Sequence, residues 1–319
     1  MRALLYAAPL QLVVTDLDVP VPADDEVLVR VAAAGVCGSE VEGFATQSPF
    51  RKPPLVMGHE FAGYRVDDDT LVTVNPLVAC GACGNCRRGR TNICDNRSLL
   101  GIHRAGGFAE YVAVPRANVH ALPAGVSPLR GAFVEPLANA VHAANLVADR
   151  LAPDARVGVI GAGMLGTAVL LVLRSRGLTG IHVADLAEQR LTTAVQAGAE
   201  RTGPRLTGTF DVILDTVGTA GTRADSVALL HPGGATVWLG LHAAESDVDC
   251  RAMIREEKTM LGSFCYTDAE FAAAVPLVAG LDESWLELRD LADGVEVFSA
   301  LMRGPAARIK TMLLPGGIR

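Results

Sequence analysis

The chain has few aromatic residues, 5% of its 319 positions with two Trp and four Tyr, so broad aromatic packing cannot dominate its core. It has no excess of basic charge: 28 Lys and Arg stand against 35 Asp and Glu, for a net charge of −7. That balance excludes a general affinity for nucleic acid or for an anionic membrane surface, and neither is expected as a partner. No apolar run reaches the roughly 18 uninterrupted residues that would span a bilayer. The opening MRALLYAAPLQLVV is broken by Pro9 and Gln11 and followed by Asp16 and Asp18, so it predicts a β-strand, not a leader, and a cytoplasmic location. Internal repeats and low-complexity tracts are absent too. What is present is an ordinary globular mixture, half hydrophobic and one fifth charged, with 33 glycines. It excludes disordered, collagen-like and coiled-coil chains. The length favours two domains, or one interrupted by another.

Residues 1 to about 125 alternate short β-like runs, 26–33, 71–75 and 109–114, with Gly- and Pro-rich loops and no long helical period. From Pro136 to Leu151 the apolar spacing becomes helical, and a βαβ rhythm follows. It runs VGVIGAG, a helix to about Arg176, IHVAD, a helix to Ala197, FDVILDTVG, a helix to Leu230, then ATVWLGL. Such alternation predicts a parallel sheet covered on both faces. After about Gly262 it stops, leaving a helix near 268–278 and a strand near 309–314 to return to the first domain.

Seven cysteines in a chain without a leader point to metal before disulfides. Cys80, Cys83, Cys86 and Cys94 follow C-x2-C-x2-C-x7-C, which lets four thiolates converge on one tetrahedral ion. Gly81, Gly84 and Gly89 ease the turns, and Arg87, Arg88 and Arg90 offset the charge of a zinc tetrathiolate. Four protein ligands leave no position for substrate, so this zinc is expected to be structural. Disulfides, and a zinc-ribbon nucleic-acid module, are the rival readings; the acidic chain disfavours the second.

Three segments occur in a telling order: Gly35-Val36-Cys37-Gly38-Ser39-Glu40, then Gly58-His59-Glu60-Phe61-Ala62-Gly63, then the cysteine lobe. Together with GGFAEYVAVP at 106–115, EPLANAVHA at 135–143, the glycines of 161–166 and IKTMLLP at 309–315, they resemble the zinc-dependent medium-chain dehydrogenase/reductase family. Alcohol, sorbitol and threonine dehydrogenases belong to it. The resemblance implies an α/β fold in which a GroES-like β-rich catalytic domain, residues 1–142 and 268–319, is interrupted by a Rossmann doubly wound parallel-sheet domain, 143–267. It places the active site in the cleft.

The resemblance makes Cys37 and His59 ligands of a catalytic zinc, which suits a thiolate and an imidazole. Where simple alcohol dehydrogenases carry another cysteine ligand, this chain has Glu135 followed by Pro136, as polyol dehydrogenases do. Glu60 and Glu135 both remain open as the next ligand, one direct and the other through water or by exchange, and Glu60 could instead only support the ligands. Glu40 stands where the family usually has Asp to orient the histidine. Ser39 matches the hydroxyl that passes on the substrate proton. Glu42, in place of the histidine that often ends the relay, is either the end of that relay or a solvated charge. The segment between Gly63 and Thr73 is shorter than usual.

Gly161-Ala162-Gly163-Met164-Leu165-Gly166 follows an apolar strand and opens an apolar-periodic helix. In that context the glycines allow the tight turn, the approach of backbone to pyrophosphate and close helix packing. Asp185, 22 residues after Gly163, would accept hydrogen bonds from the adenosine ribose and repel a 2′-phosphate, which favours NAD. Arg190 could serve that phosphate or lie on a solvated helix face. Thr216, Val217, Gly240 and Leu241 end later strands, where nicotinamide is expected, with His242 nearby. Lys310 matches a basic residue at the pyrophosphate, or is a surface lysine. Cys250 and Cys265 carry no partner motif.

Taken together, these features predict two zinc ions per chain, NAD, and reversible oxidation of a secondary alcohol to a ketone on a polar small molecule: a polyol, sugar, cyclitol or aminocyclitol. A threonine-like amino alcohol is the alternative, and a non-catalytic zinc- and NAD-binding protein the remote one. The family implies a homodimer or homotetramer.

Overall fold

The computed structural model describes residues 1–304, 306 and 308–317. The chain divides into two compact units, Met1–Glu135 with Thr267–Arg319, and Pro136–Tyr266. The first crossing falls at the start of the helix Val134–Asn145, earlier than residue 142.

In the first unit, the strand Glu26–Gly35 alternates in the manner of a half-buried strand: Val27, Val29 and Val31 face inward while Arg30 is exposed. It is the hub of a seven-stranded sheet, pairing antiparallel with Glu60–Arg65, Tyr111–Pro115 and Lys310–Leu314. The last of these sets Met312 opposite Gly35, which brings the end of the chain beside the start of the Cys37 segment. The shortened segment after Gly63 is a tight hairpin, with Tyr64 opposite Leu71 and the turn tied by Arg65 to Asp67. The scarce aromatics are concentrated in this core: Phe44 lies edge-on to Tyr6 and Phe298, and Phe298 edge-on to Phe108, with centroids 5.5 to 6.0 Å apart. Edge-to-face packing adds about 0.5–1.5 kcal/mol per pair beyond burial.

The second unit is a six-stranded, all-parallel sheet. Its order across the sheet is Arg201–Gly203, Ile181–Ala184, Val157–Ile160, Phe210–Asp215, Leu230–Trp238 and Thr259–Gly262. Every residue of Val157–Ile160 and Ile181–Ala184 is buried, as expected for strands covered on both faces. The helices Met164–Ser175, Glu188–Gln196 and Ala220–Ala228 alternate with these strands. The strand order reverses between Val157–Ile160 and its neighbour Phe210–Asp215, the switch point at which such sheets bind ligands. Among the described residues, no helix is long and apolar enough to cross a membrane.

Candidate active site

Where the strand Glu26–Gly35 ends, Cys37 becomes the N-cap of the helix Gly38–Ala45. Glu40, three residues into that helix, returns a carboxylate oxygen, Oε2, to the Cys37 backbone N–H at 3.0 Å, one half of a capping box. Its other oxygen, Oε1, accepts from the Gly58 N–H at 2.8 Å, the His59 N–H at 3.2 Å and His59 Nδ1 at 2.9 Å. One buried carboxylate thus fastens the helix to the loop carrying His59 and engages Nδ1, leaving Nε2 as the candidate ligand atom. Gly58 makes that loop feasible: its φ is +97°, and a Cβ there would lie 2.7 Å from the Phe108 backbone nitrogen. Burial alone would lower the His59 pKa, but the Glu40 charge and the neighbouring Cys37 hold it well above its usual value. Burial likewise opposes ionisation of Glu40, and His59 outweighs it and keeps that carboxyl below its usual range.

The ligand atoms of Cys37, His59 and Glu60 all lie within 4.8 Å of one another. Glu60 is held by Lys310, whose Nζ sits 2.6 Å from Oε2 and donates to the Val36 carbonyl at 3.2 Å. Both side chains are under 5% exposed, so Lys310 is not a surface lysine. Burial opposes its charge, yet Glu60 and Cys37 raise its pKa. Ser39 Oγ donates to Cys37 Sγ at 3.3 Å and accepts from Arg51 Nη2 at 3.3 Å. The S, N and O donors of Cys37, His59 and Glu60 fit a zinc ion. Glu135 is buried on the first turn of its helix but is not one of the three clustered ligands. Glu42 is exposed, with no partner for its carboxylate among the described residues. Arg51 had no sequence signal, and although Glu60 and Lys310 each lie in a recognisable motif, their pairing had none, because they are 250 residues apart in the chain.

The four sulfurs of Cys80, Cys83, Cys86 and Cys94 also fall within 4.8 Å of one another, and no disulfide forms among the described cysteines. Cys94 Sγ is 3.4 Å from that of Cys80 and 3.9 Å from that of Cys83. These bracket the ~3.8 Å edge of a tetrahedron with zinc–sulfur bonds of about 2.3 Å. Backbone N–H groups of Ala82 and Cys83 help lower the Cys80 thiol to about 6. Desolvation and the adjacent thiols push Cys86 up to about 12. Four thiols so placed ionise together only around a cation.

In the second unit, Gly161 has φ +96° and Gly163 caps the helix Met164–Ser175. A Cβ on Gly166 would stand 1.8 Å from the Gly161 carbonyl oxygen, so only glycine lets this helix close on its strand. Met164 and Leu165 open the helix half-buried. Asp185 accepts from the Ala162 and Ala187 N–H groups, both at 2.8 Å. Arg190 Nη1 lies 3.9 Å from Asp185 Oδ2 and is largely buried, so it is not on a solvated face. Thr216 Oγ1 donates to the Ile160 carbonyl at 2.8 Å. Gly240 packs against Val217 and Gly218 too closely for a Cβ, and Leu241 and His242 are exposed. The sheet thus gathers the glycine loop, Asp185, Arg190, Thr216, Val217 and Gly240 at the C-terminal ends of its strands.

Residues 23–124 match the alcohol dehydrogenase GroES-like domain and 165–280 the zinc-binding dehydrogenase domain. The chain is 32% identical over 302 residues to L-galactonate-5-dehydrogenase of Escherichia coli, covering 88% of this chain and 87% of that one. It is also 32% identical over 312 residues to L-threonine 3-dehydrogenase of Saccharopolyspora erythraea, covering 89% and 90%. A zinc-binding dehydrogenase from Sinorhizobium meliloti, bound to NADP, superposes with a TM-score of 0.91 at 29% identity over 98% of this chain and 99% of that one.

Proposed function

The chain belongs to the zinc-dependent medium-chain dehydrogenase/reductase family, and from that premise we propose that it interconverts a secondary alcohol and a ketone on a polyhydroxylated polar molecule, with NAD. The substrate classes are polyols, sugars, cyclitols and aminocyclitols. The observation that carries this reading is the convergence of Cys37, His59 and Glu60, with His59 oriented through Glu40. Cys37 and His59, with Glu60 or Glu135 completing the set, would hold a zinc ion, which would supply acidification of a bound hydroxyl, as zinc lowers the pKa of water from about 15.7 toward 7. The Ser39 hydroxyl, which accepts from Arg51 and donates to Cys37, is held beside the ligand sulfur, and in this reading it passes on the substrate proton from there. Lys310, 2.6 Å from the Glu60 carboxylate, holds it in place beside the ligands. In the other unit, Asp185 is tethered by two backbone N–H groups at the end of its strand, where a ribose hydroxyl can be accepted and a 2′-phosphate is repelled. A second set of four cysteines supports a structural zinc. By analogy with the family, we place the chain in the cytoplasm as a homodimer or homotetramer.

Similarity to an L-threonine 3-dehydrogenase supports the second reading, an amino alcohol substrate. NADH formation across polyols, sugar acids, cyclitols, amino sugars, L-threonine and simple alcohols separates the two. The proposal expects turnover of a polyhydroxylated compound well above that of L-threonine. Efficient turnover of ethanol or benzyl alcohol, with none of the polar compounds oxidised, would overturn it.

A further inference from the structure

Arg51 is the least explained charge in the first unit. Its side chain is largely buried, with only 7% of the residue exposed, yet it forms no ion pair among the described residues. Its one side-chain hydrogen bond is to a neutral hydroxyl, Ser39 Oγ, at 3.3 Å, and its buried Nε has no partner. The nearby carboxylate of Glu40 is spoken for by three backbone N–H groups and the His59 ring. Taking a guanidinium out of water without an opposing charge is costly, so buried arginines are nearly always paired with anions. The fold nevertheless makes room for this one. Gly43 leaves the space that Nη1 occupies, because a Cβ there would come within 2.5 Å of it. The guanidinium stands two hydrogen bonds from the Cys37 sulfur, through Ser39, and so next to the atoms that define the reacting hydroxyl.

We propose that Arg51 selects the substrate by binding an anionic group on it, so that the alcohol is a sugar acid or a polyol phosphate and not a neutral polyol. The inference rests on the dehydrogenase reading above and narrows its substrate class. Arginine suits this role because its planar fork of N–H donors matches a carboxylate or phosphate edge and stays charged at any working pH. Lysine offers a point charge without that fork, and a neutral donor would leave the anion uncompensated. Glu40 acts on Arg51 only through space, and the direct anionic partner is then supplied by the substrate, with the desolvation already imposed by the fold strengthening the contact. Carboxylate and phosphate share this chemistry; binding measurements distinguish them.

The test uses the zinc-loaded protein and three probes of matched carbon skeleton: gluconate, sorbitol 6-phosphate and sorbitol. Calorimetry should show one of the two anions binding at least about tenfold more tightly than sorbitol, as a charge-assisted pair requires. Arg51→Gln should abolish that preference and Arg51→Lys should retain part of it, with zinc content and thermal unfolding checked for both. In turnover, the ratio of kcat/KM for the preferred anion to that for sorbitol should fall about tenfold in Arg51→Gln, mainly through KM. Equal binding of sorbitol and both anions by the unmutated protein would overturn the proposal. So would an equal loss on anionic and neutral alcohols in Arg51→Gln, because Arg51 would then act only through Ser39. If an anion preference carried by Arg51 persists while no alcohol is oxidised, the dehydrogenase reading fails and the anion site stands. If neutral polyols are oxidised as well as anionic ones, the anion site fails and the dehydrogenase reading stands.

Discussion

Glu40 caps the start of the helix at Cys37 and engages the ring of His59, so a single carboxylate positions two candidate ligands at once. Glu40→Gln keeps the size of the side chain but removes the charge facing His59. It should lower zinc occupancy at that site or kcat by about 10–100-fold, as loss of an orienting partner typically does; metal analysis and steady-state kinetics check both. Glu42, two residues on, has the opposite character. It is exposed on the helix, so Glu42→Gln should leave kcat and its pH profile where they are. A shifted profile would make it the end of the proton relay after all. In the reading proposed above, cofactor choice turns on Asp185. NAD should be preferred over NADP by at least about tenfold, and Asp185→Ser should narrow the ratio. Equal kcat/KM with both cofactors in the unmutated protein would show that Arg190, 3.9 Å away, controls the pocket instead.

Elements differ in how far local sequence announced them. The parallel strands were legible because VGVI and IHVA are short, largely apolar runs bounded by glycine or charge, and the helices between them carry a clear apolar period. The helix Gly38–Ala45 was not, because it has eight residues, two of them glycine, and is held by its cap and by Phe44 in the core. The helix Gly294–Arg303 was missed for a related reason: it opens on Gly and Val, weak helix formers, and its anchor is Phe298, packed against Phe44 and Phe108 from distant parts of the chain. Tertiary packing overrides propensity in both cases. The glycine loop shows the reverse, a local demand that no packing can relax. Gly166→Ala would press a methyl against the Gly161 carbonyl oxygen. It should cost about 1–3 kcal/mol of stability and weaken NAD binding, as measured by thermal unfolding and by titration with NAD.

Across the whole molecule, the site separates into parts that spacing reveals and parts that only the fold assembles. The four lobe cysteines lie within fifteen positions, so their convergence was readable from sequence. Cys37 and His59 became readable through the motifs around them. Lys310 met Glu60 only because the strand Lys310–Leu314 pairs with Glu26–Gly35, and Arg51 stands in the run PFRKPP, which has no signature. The central claim is that two zinc sites with separate purposes make this chain a dehydrogenase. Its most direct test is metal analysis of three purified proteins, coupled to stability and turnover. The unmutated chain should hold two zinc ions; Cys83→Ser should lose one together with much of its stability, since a four-thiolate site contributes folding free energy directly. Cys37→Ser should lose the other together with turnover, while unfolding close to the unmutated temperature. A fully active chain holding a single zinc ion would contradict the account.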